Sequence, residues 1–461
     1  MNRLGLFATG LLWSLAGTAE DFSADMKATA EQLMERALQG NTAYATVESL
    51  TTEVGPRLAG TQAEARARDW AVARLEALGL QNVRVETFQI QGWQRGEERA
   101  DIIAPFPQSL TISTLGGSVG TGPAGIEAEI VSFASMAELE SAAASAVKGK
   151  IVFIDEPTTR TQDGTGYGVA GAKRWQAAYV AQQKGASAAL IRSVGTDSDR
   201  FAHTGQMRRL DHQGEDGVPA AALSAPDADQ LQRALARGLP VVVRLVLTPR
   251  NGFTVESGNV IGEIPGLVAP QEIVLAGAHL DSWDLGTGAI DDGAGVGIVT
   301  GAAQLLLEHL SRAPRRTIRL VLFGSEETGL AGARAYAQQH ANELPDHILA
   351  VESDFGAGDI WRFDTGVGEA GLTAALAIGD VLRPLGIGPG ANAAKGGPDL
   401  GYLRKAGVPV VDLKQNGWDY FDLHHTANDT LDKIAPNALD QNVAAYATLL
   451  YLVADSEARF R

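Results

Sequence analysis

Five short patches of this 461-residue chain carry side chains that can bind cations and move protons. His279 and Asp281 close an apolar run, and Asp291-Asp292-Gly293 follows shortly after. Glu326-Glu327, Asp354 and His424-His425 complete the set. Imidazole nitrogens and carboxylate oxygens are ligands for borderline and hard divalent cations, and a carboxylate left over can shuttle protons. The chemistry implied is metal-assisted hydrolysis.

Each patch also has an ordinary reading, and several roles stay open. His279 offers a ring nitrogen to a metal, or is simply a hydrogen-bonded structural histidine. Asp281 can accept the other ring N–H and set the tautomer. One of Asp291 and Asp292 can cap the helix that starts at Gly293, while the other bridges two cations about 3.5–4 Å apart. Glu326 and Glu327 diverge as neighbours, so one can ligate while the other faces the water to be deprotonated. His424 and His425 lie together before the last helix, with Asp429-Thr430 just beyond.

What must position these groups is a strand–helix alternation after Asn251. Strands are expected over 272–277, 317–323, 348–351 and 408–413, with helices over 293–310, 330–340, 372–385 and 437–454. This implies an α/β fold with a mostly parallel central sheet and helices on both faces, where ligands sit beyond the carboxyl ends of strands. His279, Glu326, Glu327 and Asp354 all fall near such ends. Upstream, 25–49 and 62–78 read as helical and 83–90 as a strand. The glycine-rich stretch 116–125 reads as a seam. Residues 125–250 carry none of the metal-type patches and read as a smaller inserted domain that covers the site without building it. The expected division is 1–19 leader, 20–124 and 251–461 catalytic domain, 125–250 insert.

Bulk properties narrow the class. The net charge of -17 is spread along the chain and argues against nucleic acid as a partner. The absence of cysteine removes disulfides, thiolate zinc sites and cysteine nucleophiles. Arg3, the apolar run Leu4 to Leu15 and the small residues up to Ala19 have the layout of a secretory signal peptide cleaved near Ala19. No other segment is long and apolar enough to span a bilayer, so no membrane association is expected of the mature form, secreted or periplasmic.

With these residues placed, the chain resembles the di-zinc aminopeptidase and carboxypeptidase Q family of metallopeptidases. The resemblance runs through Gly55-Pro-Arg-Leu-Ala-Gly-Thr61, Ala189-Leu-Ile-Arg-Ser193, His203-Thr-Gly205, His279-Leu-Asp-Ser-Trp-Asp284, Gly288-Ala-Ile-Asp-Asp-Gly293, Glu326-Glu327, Glu352-Ser-Asp354 and His424-His-Thr426. The insert resembles a protease-associated domain, and the fold implied is zinc-peptidase, phosphorylase/hydrolase-like. The resemblance implies one Zn2+ on His279 and Asp354, a second on Glu327 and His425, and Asp291 bridging both. Glu326 becomes the general base acting on a metal-bridging water. His425 is selected over His424 by its spacing from the Asp-Thr pair. A cis peptide between Asp291 and Asp292 and a homodimer are also implied. Nitrogen and oxygen ligands admit Co2+ or Mn2+ as well. Substrates would be short peptides or dipeptides with a free N-terminus. A tyrosine that steadies the oxyanion in some members has no motif here; Tyr402 and Tyr420 are the candidates.

Two readings compete: a non-catalytic receptor or binding protein on the same scaffold, and a single-zinc glutaminyl cyclase. The full complement of ligands and base argues against the first, and metal stoichiometry separates the second. A serine hydrolase is disfavoured because no Gly-x-Ser-x-Gly elbow stands at a strand–helix turn.

Overall fold

Side-chain alternation along the apolar strands builds two cores back to back. In the strand Ala269–His279, Val274, Ala276 and Ala278 enter one core with the helices Ala294–His309 and Asp440–Asp455. Leu275 enters the other, beside Tyr336, Leu400 and Leu403. Successive residues point to opposite faces, so a strand covered by helices on both sides must be apolar throughout. The computed structural model describes residues 22–207 and 217–461. The expected leader, 1–19, lies outside them.

The catalytic sheet has eight strands, in the order Gln81–Gln94, Arg250–Ile264, Arg316–Phe323, Ala269–His279, His347–Glu352, Val410–Gln415, Ile360–Gly366, Gly388–Pro389. The four central strands are parallel. Arg250–Ile264 and Ile360–Gly366 flank them in antiparallel pairing. These two flanking strands were not expected. Arg250–Ile264 begins with exposed polar residues, and Ile360–Gly366 mixes Trp361, Arg362 and Asp364 into its apolar positions, so neither shows a buried-strand run.

The single helical stretch expected over 25–49 is two helices, Ala24–Leu38 and Ala43–Glu53. Gly40 turns between them at φ 128°, which glycine alone tolerates cheaply, and Asn41 Oδ1 accepts from Ala43 N at 2.8 Å to start the second. The closing helix Asp440–Asp455 is buried from Asn442 to Ala454, and Tyr446 donates its hydroxyl to Glu352 O at 2.6 Å. That bond pins the end of the strand that leads to Asp354.

A second eight-stranded sheet runs from Gln108–Leu110 at one edge to Ile112–Thr114 at the other. Its strands start at Glu98, well before the expected boundary at 125. Gln94 pairs with Arg250 in the catalytic sheet and Glu98 with Leu247 in the second, so the chain leaves and returns side by side. The glycines of 116–125 lie inside this unit rather than at its border. Among the described residues no helix is long and apolar enough to cross a membrane.

Candidate metal centre

The site is assembled at the carboxyl rim of the parallel strands. Between His279 and Asp291 the chain forms a loop held from beneath by Arg57, a fully buried side chain. Its guanidinium donates to the carbonyls of Gly55, Leu280, Thr287 and Gly288. Burial lowers the Arg57 pKa, opposed by the surrounding Asp429, Asp281, Asp292 and Asp291. Asp429 fixes the next segment: its carboxylate accepts from Ile290 N at 2.6 Å and Asp291 N at 3.3 Å. Asp292 accepts from Gly295 N at 3.0 Å, as a cap would, and from His279 N at 3.1 Å. The Asp291–Asp292 peptide is cis.

Asp291 is thereby aimed between two groups of donors. Its Oδ1 lies 3.0 Å from His279 Nε2, and its Oδ2 lies 3.3 Å from His425 Nε2 and 3.5 Å from His424 Nε2. Asp354 Oδ1 stands 3.5 Å from His279 Nε2, and Glu327 Oε2 stands 2.9 Å from His425 Nε2. His279, Asp291 and Asp354 form one cluster whose ligand atoms lie within 4.8 Å of each other; Asp291, His424 and His425 form another. Both histidines of the pair are therefore in reach, their rings stacked with centroids 3.5 Å apart. His425 at φ 64° and Ser325 at φ 62° hold left-handed backbone that non-glycine residues seldom adopt, a concentration of strain common at functional sites.

Asp281 divides its work in a way not expected from its spacing. The His279 Nδ1–H meets the Asp281 backbone carbonyl at 2.9 Å, while the Asp281 carboxylate, 3.7 Å away, accepts from Glu326 N at 3.0 Å. The residue sets the His279 tautomer through its backbone and orients Glu326 through its side chain.

The electrostatics show negative charge in excess. Burial foremost, reinforced by Asp354 and Glu327, pushes Glu326 well above the usual carboxylate range, and Glu327 rises for similar reasons. Burial opposes the charge on Asp291, but the His279 and His425 rings overcome it and hold its pKa well below normal. Asp291 Oδ2 and Glu327 Oε1 are buried without a hydrogen-bond partner. Unpaired buried oxygens are costly, and cations among nitrogen and oxygen donors relieve that cost; the residues fit zinc.

The second sheet's unit also reaches the centre, against the expectation that it only covers it. Thr204 O stands 3.3 Å from His425 Nδ1, and Thr204 N donates to His425 O at 3.0 Å. His203 Nδ1 bonds His424 O at 2.7 Å, backed by Asp197 at 2.6 Å. Arg174 and Tyr167, from the helix Thr165–Gln183, come against His425 and His424. Spacing gave no signal for Arg174 or Tyr167; His203-Thr-Gly205 and Gly55-Pro-Arg57 were visible as motifs without a role. Of the two tyrosine candidates, Tyr420 packs at the centre, 5.1 Å from the His424 ring, whereas Tyr402 lies on the helix Gly401–Lys405 beneath Lys405.

A rim of imidazoles and carboxylates with orphaned oxygens, on a helix-covered α/β sheet, defines a metallohydrolase. The peptidase family M28 model matches residues 259–450. Carboxypeptidase Q of Rattus norvegicus is 36% identical over 94% of this chain and 90% of its own length; that of Homo sapiens is 35% identical over 90% of the chain and 86% of its own. The crystal structure of a peptidase M28 precursor from Shewanella amazonensis aligns with TM-score 0.92 at 48% identity, covering 95% of this chain and 98% of that one. A zinc aminopeptidase from Bacillus subtilis shares the fold, with TM-score 0.65 at 21% identity over 90% of this chain and 96% of its own. The chain belongs to peptidase family M28 and is an enzyme of that family; of the relatives above, two are named carboxypeptidases and one a zinc aminopeptidase.

Proposed function

We propose that this protein is a di-zinc exopeptidase that hydrolyses short peptides or dipeptides with a free N-terminus, working in a secreted or periplasmic setting. The observation that carries it is the Asp291 carboxylate, which turns one oxygen to His279 and the other to His425. His279 and Asp354 would hold one zinc, Glu327 and His425 the other, with Asp291 shared. Zinc bound there lowers the pKa of water and polarises the peptide carbonyl.

The chain's own residues do the rest. The His279 Nδ1–H, spent on the Asp281 carbonyl, leaves Nε2 free as a ligand. The His425 Nδ1 facing Thr204 O does the same for its ring. Glu326 is the general base: it takes the proton of the attacking water and returns it to the leaving amine. The Asp281 bond to Glu326 N keeps it in position.

Glu326→Gln is expected to retain two zinc ions per chain by elemental analysis, while dipeptide turnover falls by about 10²–10⁴-fold. Near-normal turnover would remove Glu326 as the base, and a single zinc in the unmodified protein would remove the binuclear reading.

A further inference from the structure

Arg174 is a buried cation with too few partners. It is 6% exposed, yet among the described residues no carboxylate pairs with it. The other buried arginines face an anion or a set of carbonyls. Arg68 pairs with Glu64, Arg316 with Glu272 and Arg319 with Glu263, and Arg57 is filled by carbonyls. A guanidinium has five N–H donors. Arg174 spends one on the Tyr167 hydroxyl, and its Nε is buried without a partner. Its Nη1 lies 3.4 Å from His425 Nδ1, but that nitrogen also faces Thr204 O at 3.3 Å. One ring nitrogen cannot both donate to the carbonyl and accept from the guanidinium. When His425 Nε2 is a ligand and Nδ1 carries the proton, Arg174 Nη1 is left without an acceptor.

The surroundings make room for this unpaired head. Gly205 sits at φ 133°, and a Cβ there would fall 2.5 Å from Arg174 Nη1. Tyr167, which receives the Arg174 bond, still has its own hydroxyl hydrogen to give; its ring stacks on Phe421 at 4.5 Å and meets His424 edge-on at 5.0 Å. A buried guanidinium without an anion is costly, and a planar carboxylate is the group that fills its fork with two parallel bonds.

We propose that Arg174, supplied by the second sheet's unit, is the receptor for the free α-carboxylate of the substrate, which makes dipeptides the preferred class. This rests on the hydrolase reading above and deepens it. The guanidinium stands against the flank of His425, so an anion bound there lies close to the centre. Arg174 Nη1 stands 3.4 Å from His425 Nδ1, and one extended residue spans about 3.3–3.6 Å, so this anchor suits a substrate with only a short segment beyond the scissile bond.

The test compares a dipeptide with its C-terminal amide on the zinc-loaded protein, on Arg174→Met and on Arg174→Lys. The unmodified protein is expected to favour the free acid by on the order of 10- to 100-fold in kcat/KM, the worth of charged hydrogen bonds, expressed mainly in KM. Arg174→Met brings the acid-to-amide ratio near one, and Arg174→Lys, which keeps charge but loses the fork, falls between. An unchanged ratio in Arg174→Met overturns the proposal. The same two compounds are titrated calorimetrically into Glu326→Gln with and without Arg174→Met, which reads recognition without turnover. Acid-selective binding that needs Arg174 in a protein that hydrolyses neither compound keeps the receptor and sinks the hydrolase. Hydrolysis with no dependence on Arg174 does the reverse. Matching circular dichroism and melting curves check that Arg174→Met folds.

Discussion

His424 and His425 differ by one position, and both Nε2 atoms come within 3.5 Å of Asp291 Oδ2. Only His425 also meets Glu327, at 2.9 Å, and only its Nδ1 faces a carbonyl that can fix its tautomer; His424 Nδ1 is buried without a partner. His425→Ala is therefore expected to lose one zinc per chain and nearly all activity, and His424→Ala to keep both zinc ions. The reverse pattern in elemental analysis would show that the ligand is His424. Arg57 acts at the same scale from below. Lysine can place three donors at one point but cannot reach carbonyls spread over Gly55, Leu280, Thr287 and Gly288. Arg57→Lys should cost on the order of 3 kcal/mol in denaturant unfolding, since buried carbonyls lose their donors, and should weaken zinc retention. Unaltered zinc affinity would mean that the loop needs no such support. Chemistry at this scale was partly legible in the sequence. The residue types of His279, Asp291, Glu327 and Asp354 announce ligands; the choice of His425 over His424 rested on the family motif's spacing to the Asp-Thr pair, and the tertiary structure adds its contact with Glu327 in the loop after Arg316–Phe323.

The strand His347–Glu352 carries the chain toward Asp354, and it begins with a buried histidine that has nothing to do with the metal-type cluster. His347 Nδ1–H donates to Glu343 O at 2.9 Å, and Nε2 accepts from Tyr336 OH at 2.9 Å. Both bonds suit the neutral ring. Burial foremost lowers its pKa from 6.5 to about 4, helped by the nearby Arg319 and His340 charges. The unfolded chain takes up a proton near 6.5, while the folded chain resists until about 4. Stability from this residue is thus full above the unfolded value and falls as pH drops through that window, by about 3 kcal/mol in total. Urea midpoints measured across the window should slope less in His347→Gln than in the unmodified protein; equal slopes would refute a neutral buried ring. At the element scale the parallel strands and their helices were readable, because apolar runs and helical spacing are local signals. The flanking strands Arg250–Ile264 and Ile360–Gly366 were not, because buried polar residues interrupt their apolar pattern, and those residues are satisfied only by tertiary partners: Ser257 by Glu64, Asn259 by Gly332, Glu263 by Arg319 and Asp364 by Ala391 N.

The whole molecule closes around its centre from two sheets. Arg95 binds Asp284 through two nitrogens at 2.8 Å and also reaches Thr204 Oγ1 at 3.1 Å. Arg160 joins Thr196 O to Asp422 from the other side. Segments from both sheets therefore converge on the His424-His425 loop. Zinc held there, as proposed, would tie them together, so removal by chelator should lower the melting temperature and loosen both units. At a free zinc concentration of about 100 times Kd, each site contributes about 2.7 kcal/mol. A melting curve indifferent to chelator and to added zinc would contradict a cation at this junction. What the sequence by itself determined is the inventory of donors and the strand–helix rhythm that delivers His279, Glu326, Glu327 and Asp354 to one rim, because residue type and periodicity act locally. What only the tertiary structure decided is that an inserted unit completes the site. Arg174, Tyr167 and Thr204 meet His424 and His425 across a junction that no spacing along the chain encodes, and their chemistry comes from the neighbours that burial imposes on them.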